Sequence, residues 1–220
     1  LSLHDALPIY GVLNSDNMNI TGESFDYGPW RWLPRWDPAF TAAYFDHNGL
    51  YAFGRQPEAI HWNCAQLAIA LRQVCDAPPL VAALERFPAL YHQAMIRRFC
   101  WRLGVAGRGM EADSALIGAA EREMRGLAIG PDAFFFVHRG GRNATGELAD
   151  ALEGYEALPD DHEYWRQDQP ESTLIDEVEA IWAAIAEHDD WQPLQVKVAA
   201  LRNMGEALGE PPAPAGHVGF

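Results

Sequence analysis

Asp16, Asn17 and Asp26 put three oxygen-bearing side chains into one short stretch, NSDNMNITGESFDYG, residues 14–28. Carboxylate and carboxamide oxygens are the hard donors that magnesium-type cations take. A carboxylate beside them can also accept a proton from an attacking hydroxyl. The stretch therefore has two readings. One is a β-hairpin whose turns use Asn, Asp, Ser and Gly because these residues tolerate turn geometry. The other is a metal-phosphate site.

The elements around these residues must hold them. MNITGESFDYG has two short apolar segments about Thr21-Gly22-Glu23, a hairpin pattern. From Trp30 to Gly54 the sequence is loop-like, with Pro34, Pro38 and several Gly and Asp. Its WRWLPRW run, where Trp30, Trp32 and Trp36 alternate with Arg31 and Arg35, reads as aromatics anchoring a long loop rather than as a base-stacking platform. After Pro57 the apolar period becomes helical, with Ile60, Cys64, Leu67, Ala68 and Leu71 on one face. Further helices are predicted over about 80–103, broken near Pro88, over 112–127, from Pro131, from an N-cap at Ser172 or Thr173, and over 193–208. The expected fold is mainly α with a small β-hairpin.

Composition narrows the partners. The 220 residues are 49% hydrophobic, enough for a real core, and carry a formal charge of −15. Such a balance excludes nucleic acid and anionic membrane as main partners, since both reward clustered Lys and Arg. Cys64, Cys75 and Cys100 are well separated, lie in apolar helical patterns, lack C-x-x-C spacing and read as reduced core thiols in a cytosol-like compartment. No apolar run reaches the roughly 18 residues of a membrane span.

Residues 1–9, LSLHDALPI, lack the charged start, apolar centre and cleavage site of a signal peptide. The string is what a common sequencing-adapter oligonucleotide encodes in one frame. It is read as a non-native leader, with native sequence from Tyr10 or Gly11 and the chain a C-terminal fragment. The expected organisation is a leader over 1–9, then a catalytic loop, metal-binding hairpin and activation-type loop over 10–56. Helices follow over 57–208, and a flexible Pro-rich tail over 209–220.

Other polar clusters read as ordinary structure. His61, His92 and His138 have no ligand partner one helical turn away. DDHEYW at 160–165 lacks calcium-loop spacing and reads as a solvated acidic loop. HRGGRN at 138–143 is a lone Gly pair with weak phosphate-cradling potential. No G-x-S-x-G elbow or Cys-His dyad is present.

Protein-kinase-like enzymes carry H-[RG]-D-x-x-x-x-N, a strand pair and an Asp-Phe-Gly-type triplet; the Asn and triplet Asp hold magnesium. Laid on that pattern, YGVLNSDN puts Tyr10 at the His, Val12 at the catalytic Asp and Asn17 at the metal Asn, and DYG supplies Asp26. Val12 cannot act as a base. Asp16 is the nearby carboxylate.

At these residues the sequence resembles the selenoprotein O (SelO/YdiU) family of kinase-like protein adenylyltransferases, whose loop reads HGVxNTDNM followed by a hairpin and DYGP. Here the match is YGVLNSDNMNITGESFDYGP, continued through DPAF, GLYAFGRQP and WNCAQLAIAL and more loosely through YHQAMIRRFCWRLG and ALIGAAEREM. The resemblance implies a protein-kinase-like C-lobe without its N-lobe, and transfer of AMP from ATP to hydroxyl side chains of target proteins. Asp16 would be the base, Asn17 and Asp26 would hold Mg²⁺ or Mn²⁺, and Asp26 would also bind the nucleotide. The fragment alone is expected to be inactive, because the nucleotide-covering lobe is absent. DPAFTAAYFD and the tail lack the Cys residues that many members carry, and the C-terminal selenocysteine motif is missing, so redox gating is not expected. The alternatives are a small-molecule kinase of aminoglycoside-phosphotransferase type and a non-catalytic helical interaction module.

Overall fold

The computed structural model describes residues 8–21, 26 and 28–210. The proposed hairpin turn at Gly22–Phe25, with Tyr27, lies outside them. So do residues 1–7 of the expected leader and 211–220 of the expected tail.

The fold is mainly helical with a small antiparallel sheet. The sheet is made of β1 (Pro8–Tyr10) and β2 (Trp30–Trp32), with Pro8 opposite Trp32, Ile9 opposite Arg31 and Tyr10 opposite Trp30. The Trp-rich segment read as loop therefore begins as a strand. Alternation explains the difference: Ile9 and Leu33 are buried with Ala42 in a small cluster, backed by Trp36, Phe40 and Phe53. The tryptophans do anchor the loop. Trp30 and Trp32 meet edge to face at 4.5 Å, Trp36 meets Phe53 at 5.3 Å, and the Trp36 amide donates to the Ile129 carbonyl at 2.9 Å.

Eight helices follow among the described residues: α1 (Gln56–Leu71), α2 (Ala77–Glu85), α3 (Phe87–Leu103), α4 (Met110–Leu127), α5 (Pro131–Val137), α6 (Gly146–Ala151), α7 (Ile175–His188) and α8 (Gln192–Leu208). Proline in the first turn starts α1, α2, α3, α5 and α8, where its missing N–H would have no intrahelical partner. The break expected near Pro88 is the junction of α2 and α3, with Pro88 in the first turn of α3. Leu174, not Ser172 or Thr173, is the N-cap of α7, and no side chain caps that end.

The main core lies between α3, α4, α5 and α6, where Leu103, Leu116, Ala120 and Phe134 are completely buried. A second cluster joins Trp101 and Phe136 to Tyr164, Trp165, Met204 and Leu208, which ties α8 to α3 and α5. The acidic DDHEYW segment is consequently not a solvated loop throughout. Its aromatic half forms a short 3-10 turn, and Tyr164 and Trp165 are buried in this cluster because the two rings carry large apolar area.

HRGGRN also has a packing role. Arg139 is buried and donates Nη1 to the Trp101 and Arg102 carbonyls, at 2.7 and 3.2 Å, which satisfies the C-terminal end of α3. Its guanidinium lies 4.5 Å from the Trp165 ring. Burial lowers its pKa to about 10. Gly104, with φ +71°, closes α3; a Cβ there would fall 2.5 Å from Arg139 Nε, so both the turn and the close approach require glycine.

The histidines read as structural behave accordingly. His61 stacks on Phe87 at 4.7 Å, His92 lies 3.3 Å from the Ser114 hydroxyl, and His138 Nδ1 lies 3.1 Å from the Arg142 carbonyl. The three cysteines are free thiols. Among the described residues no helix is long and apolar enough to cross a membrane.

Candidate functional site

The segment after β1 turns sharply. Gly11 passes so close to the second segment that a Cβ would sit 2.2 Å from the Pro29 carbonyl oxygen. One residue on, the Val12 side chain lies against the backbone of Gly28, which has φ +54°. Only a residue without a side chain permits the first contact. The structure thus brings Gly11 and Val12, shortly before Asp16 and Asn17, against Gly28 and Pro29, just after Asp26.

Ser15–Asn17 form one 3-10 turn, set by Asn14. The Asn14 side chain accepts from the Asp16 amide at 3.2 Å, and its carbonyl accepts from the Asn17 amide at 3.2 Å. This is the local side-chain capping that Asn favours. Asn17 is half-buried and donates Nδ2 to the Val12 carbonyl at 2.8 Å. That bond fixes which end of the carboxamide is which: nitrogen toward Val12, oxygen away. Asp26 is exposed and accepts the Gly28 amide on Oδ1 at 2.9 Å.

Asp16 is exposed on the turn. Its charge reaches Tyr51, whose phenol is pushed up first by burial, then by Asp46 and Asp16. Asp46 itself organises the following loop by accepting the Leu50 and Tyr51 amides, each at 2.8 Å. The site is therefore negative and solvent-facing, with a neutral phenol at its edge.

Helix α1 supports the turn from beneath. Asn63 is buried and donates Nδ2 to the Leu13 carbonyl at 2.8 Å and to the Ala59 carbonyl at 2.9 Å. Its Oδ1 finds no hydrogen-bond partner among the described residues. Gln56 Nε2 donates to the Tyr10 carbonyl at 3.5 Å. Sequence reasoning passed over both. The signal for Asn63 was present: it stands between Ile60 and Leu67 on the apolar face of a helix, where a polar side chain needs a specific partner.

The oxygen donors suit a magnesium-type ion, which takes one or two carboxylates and completes its shell with water and phosphate. Among the described residues no group of three or more His, Cys, Asp and Glu side chains could hold a metal. A cation here would draw on Asp26, the Asn17 carboxamide and oxygens from a ligand.

The family model for "Protein adenylyltransferase SelO" matches residues 8–139. The chain belongs to the SelO family. The match starts with β1 and ends inside HRGGRN, so it takes in the site, the loop and helices α1 to α5. The chain is 34% identical over 228 aligned residues to a "Protein nucleotidyltransferase YdiU" of Synechocystis sp., covering 88% of this chain and 47% of that protein. It is 32% identical to the protein of the same name in Gloeobacter violaceus, over 88% of this chain and 45% of the relative. A shorter match of 93 residues to the Trichormus variabilis protein reaches 46% identity, over 40% of this chain and 19% of that protein. The chain spans about half the length of the SelO-family relatives it matches along most of its own length.

Proposed function

We propose that this chain carries the catalytic turn of a kinase-like protein adenylyltransferase, which moves AMP from ATP to a Ser, Thr or Tyr hydroxyl of a target protein. The reading rests on family membership together with one observation. With Nδ2 of Asn17 donated to the Val12 carbonyl, the acceptor Oδ1 is the end directed elsewhere, and it is the hard oxygen a cation needs.

Val12 occupies the place where a kinase would carry its base and has no proton-accepting group. Asp16, exposed on the capped turn, takes that role. The hydroxyl oxygen attacks the α-phosphorus, its proton passes to the Asp16 carboxylate, and the bond to pyrophosphate breaks. Asp26 and Asn17 would hold Mg²⁺ or Mn²⁺, which when bound supplies positive charge against the phosphates. Asn63 and Gln56 act through the backbone, holding the Leu13 and Tyr10 carbonyls so that the turn keeps its shape.

The remaining cover over the nucleotide is assigned to the part of the longer relatives that lies outside the segment they share with residues 1–220. A solvent-open site loses positioning and low-dielectric stabilisation, so this chain by itself is expected to transfer no AMP. The test uses a full-length protein carrying this segment. Calorimetry should show metal-dependent ATP binding that Asp26→Ala abolishes, and unchanged affinity in that variant would refute the assignment. Residues 11–220, incubated with labelled ATP, divalent metal and a bacterial lysate, should transfer no label. Transfer that Asp26→Ala removes would show that the missing cover is not required.

A further inference from the structure

Behind the loop that follows β2, a cleft of about 320 Å³ opens between that loop, the start of α1, and helices α3, α4 and α5. It is separate from Asp16, Asn17 and Asp26, none of which lines it. Trp36, Tyr91, Met95 and Phe99 form most of its apolar wall, and all four are only half-buried. Apolar walls left facing water carry a free-energy cost that a ligand body would remove. The volume is at the lower end of small-molecule sites and suits a compact molecule; a docked helix needs an extended groove.

The charge around the cleft departs from that of the molecule. The whole chain has 31 acidic residues against 16 basic ones, yet the charged residues lining the cleft are Arg98, Arg102 and Arg125 with one acid, Glu121. Arg102 is committed to Asp132 at 2.9 Å, a pair that is nearly buried on both sides. Arg98, packed 5.7 Å from the Trp101 ring, and Arg125, exposed on α4, complete the cationic side. A guanidinium has five N–H donors and can serve a ligand oxygen in addition to a protein contact.

We propose that this cleft binds a small amphipathic carboxylate, with its hydrocarbon or aromatic body against Trp36, Tyr91, Met95 and Phe99 and its carboxylate toward Arg98 and Arg125. Binding needs neither nucleotide nor transferase activity. Occupancy would press on the loop through Trp36 and on Gln56, which also lines the cleft and reaches the Tyr10 carbonyl.

The test is calorimetric titration of the whole chain with decanoate, and with decanol and decylamine as neutral and cationic partners of matched length. Decanoate should bind saturably and more tightly than either. Arg125→Gln and Arg98→Gln should each weaken decanoate roughly tenfold and leave decanol unchanged, the loss expected for one charge-assisted hydrogen bond. Met95→Trp, which fills the cleft, should abolish binding of both decanoate and decanol. No saturable binding, equal affinity for decanoate and decylamine, or an Arg125→Gln protein that binds decanoate like the parent would each overturn the proposal. If Met95→Trp does not fold, Arg125→Gln decides alone, because that side chain is exposed and its loss leaves the packing intact.

Discussion

The segment bearing Asp16, Asn17 and Asp26 and the helical body behind it are held by different forces. Between Pro8 and Gly54 the described residues form two three-residue strands and short 3-10 turns over a small apolar cluster, with many side chains bonded to backbone: Asn14 to Asp16, Asn17 to Val12, Asp26 to Gly28, Asp46 to Leu50 and Tyr51. In the body, α3 to α6 bury whole apolar side chains such as Leu116 and Phe134. Asp113, a buried carboxylate there, is held by several hydrogen bonds, accepting from the Arg108 and Gly109 amides and the Tyr155 hydroxyl at 2.9, 3.1 and 2.8 Å. The contrast teaches that an exposed turn can change its chemistry with little effect on the fold, while a buried polar group in the body cannot.

The largest expected effect separates rate from stability. In a full-length protein, Asp16→Ala should lower AMP transfer by about 10²–10⁴-fold, the contribution of a positioned base. The same change in this chain should alter the urea unfolding free energy by less than about 0.5 kcal/mol, as for other exposed positions. Equal losses of ATP binding and rate would show that Asp16 holds the nucleotide and not the proton.

Next comes the body. Arg139→Met should cost about 2–3 kcal/mol of stability, because two carbonyls at the end of α3 lose a charged donor. Urea melts measure it. A loss under about 0.5 kcal/mol would mean that those carbonyls find other partners.

Asn63→Ala tests the junction between the two regions. Removing its bond to the Leu13 carbonyl should cost about 1–2 kcal/mol. Amide exchange should quicken over Val12–Asn17 while α5 stays protected. Uniform exchange across both would show that Asn63 serves general packing.

The smallest effect is the pH dependence of the body. The Cys100 thiol is pushed from 9.0 up to about 12 by burial, then by the Asp113 charge and its hydrogen bond. The fold therefore keeps the neutral thiol. This contribution is complete below the unfolded value and is lost as pH rises from about 9 toward 12. About 1 kcal/mol should disappear through this thiol between pH 8 and 10, and Cys100→Ala should reduce the pH dependence of the urea-derived stability by about that amount. Arg139, lowered to about 10, acts in the opposite sense as pH approaches that value. The raised phenols of Tyr51, Tyr91, Tyr155 and Tyr164 act in the same sense as the thiol, so the difference between parent and Cys100→Ala is what reports Cys100.

What the sequence determined by itself is what depends on neighbours along the chain. Helical period and first-turn prolines located most of the helices, and the motif running from Asp16 and Asn17 to Asp26 pointed to the family and supplied the candidate site residues. Tertiary structure decided the rest. Pro8–Tyr10 and Trp30–Trp32 pair across a long intervening stretch, and nothing local in either triplet names its partner. Tyr164 and Trp165 lie in an acidic run that reads as solvated until α8 supplies Met204 and Leu208 to cover them. The supports of the candidate turn were hidden for the same reason: Asn63 stands fifty positions from the Leu13 carbonyl it holds. Sequence records which groups can donate or be buried, but only the folded chain fixes which distant carbonyl or ring meets them.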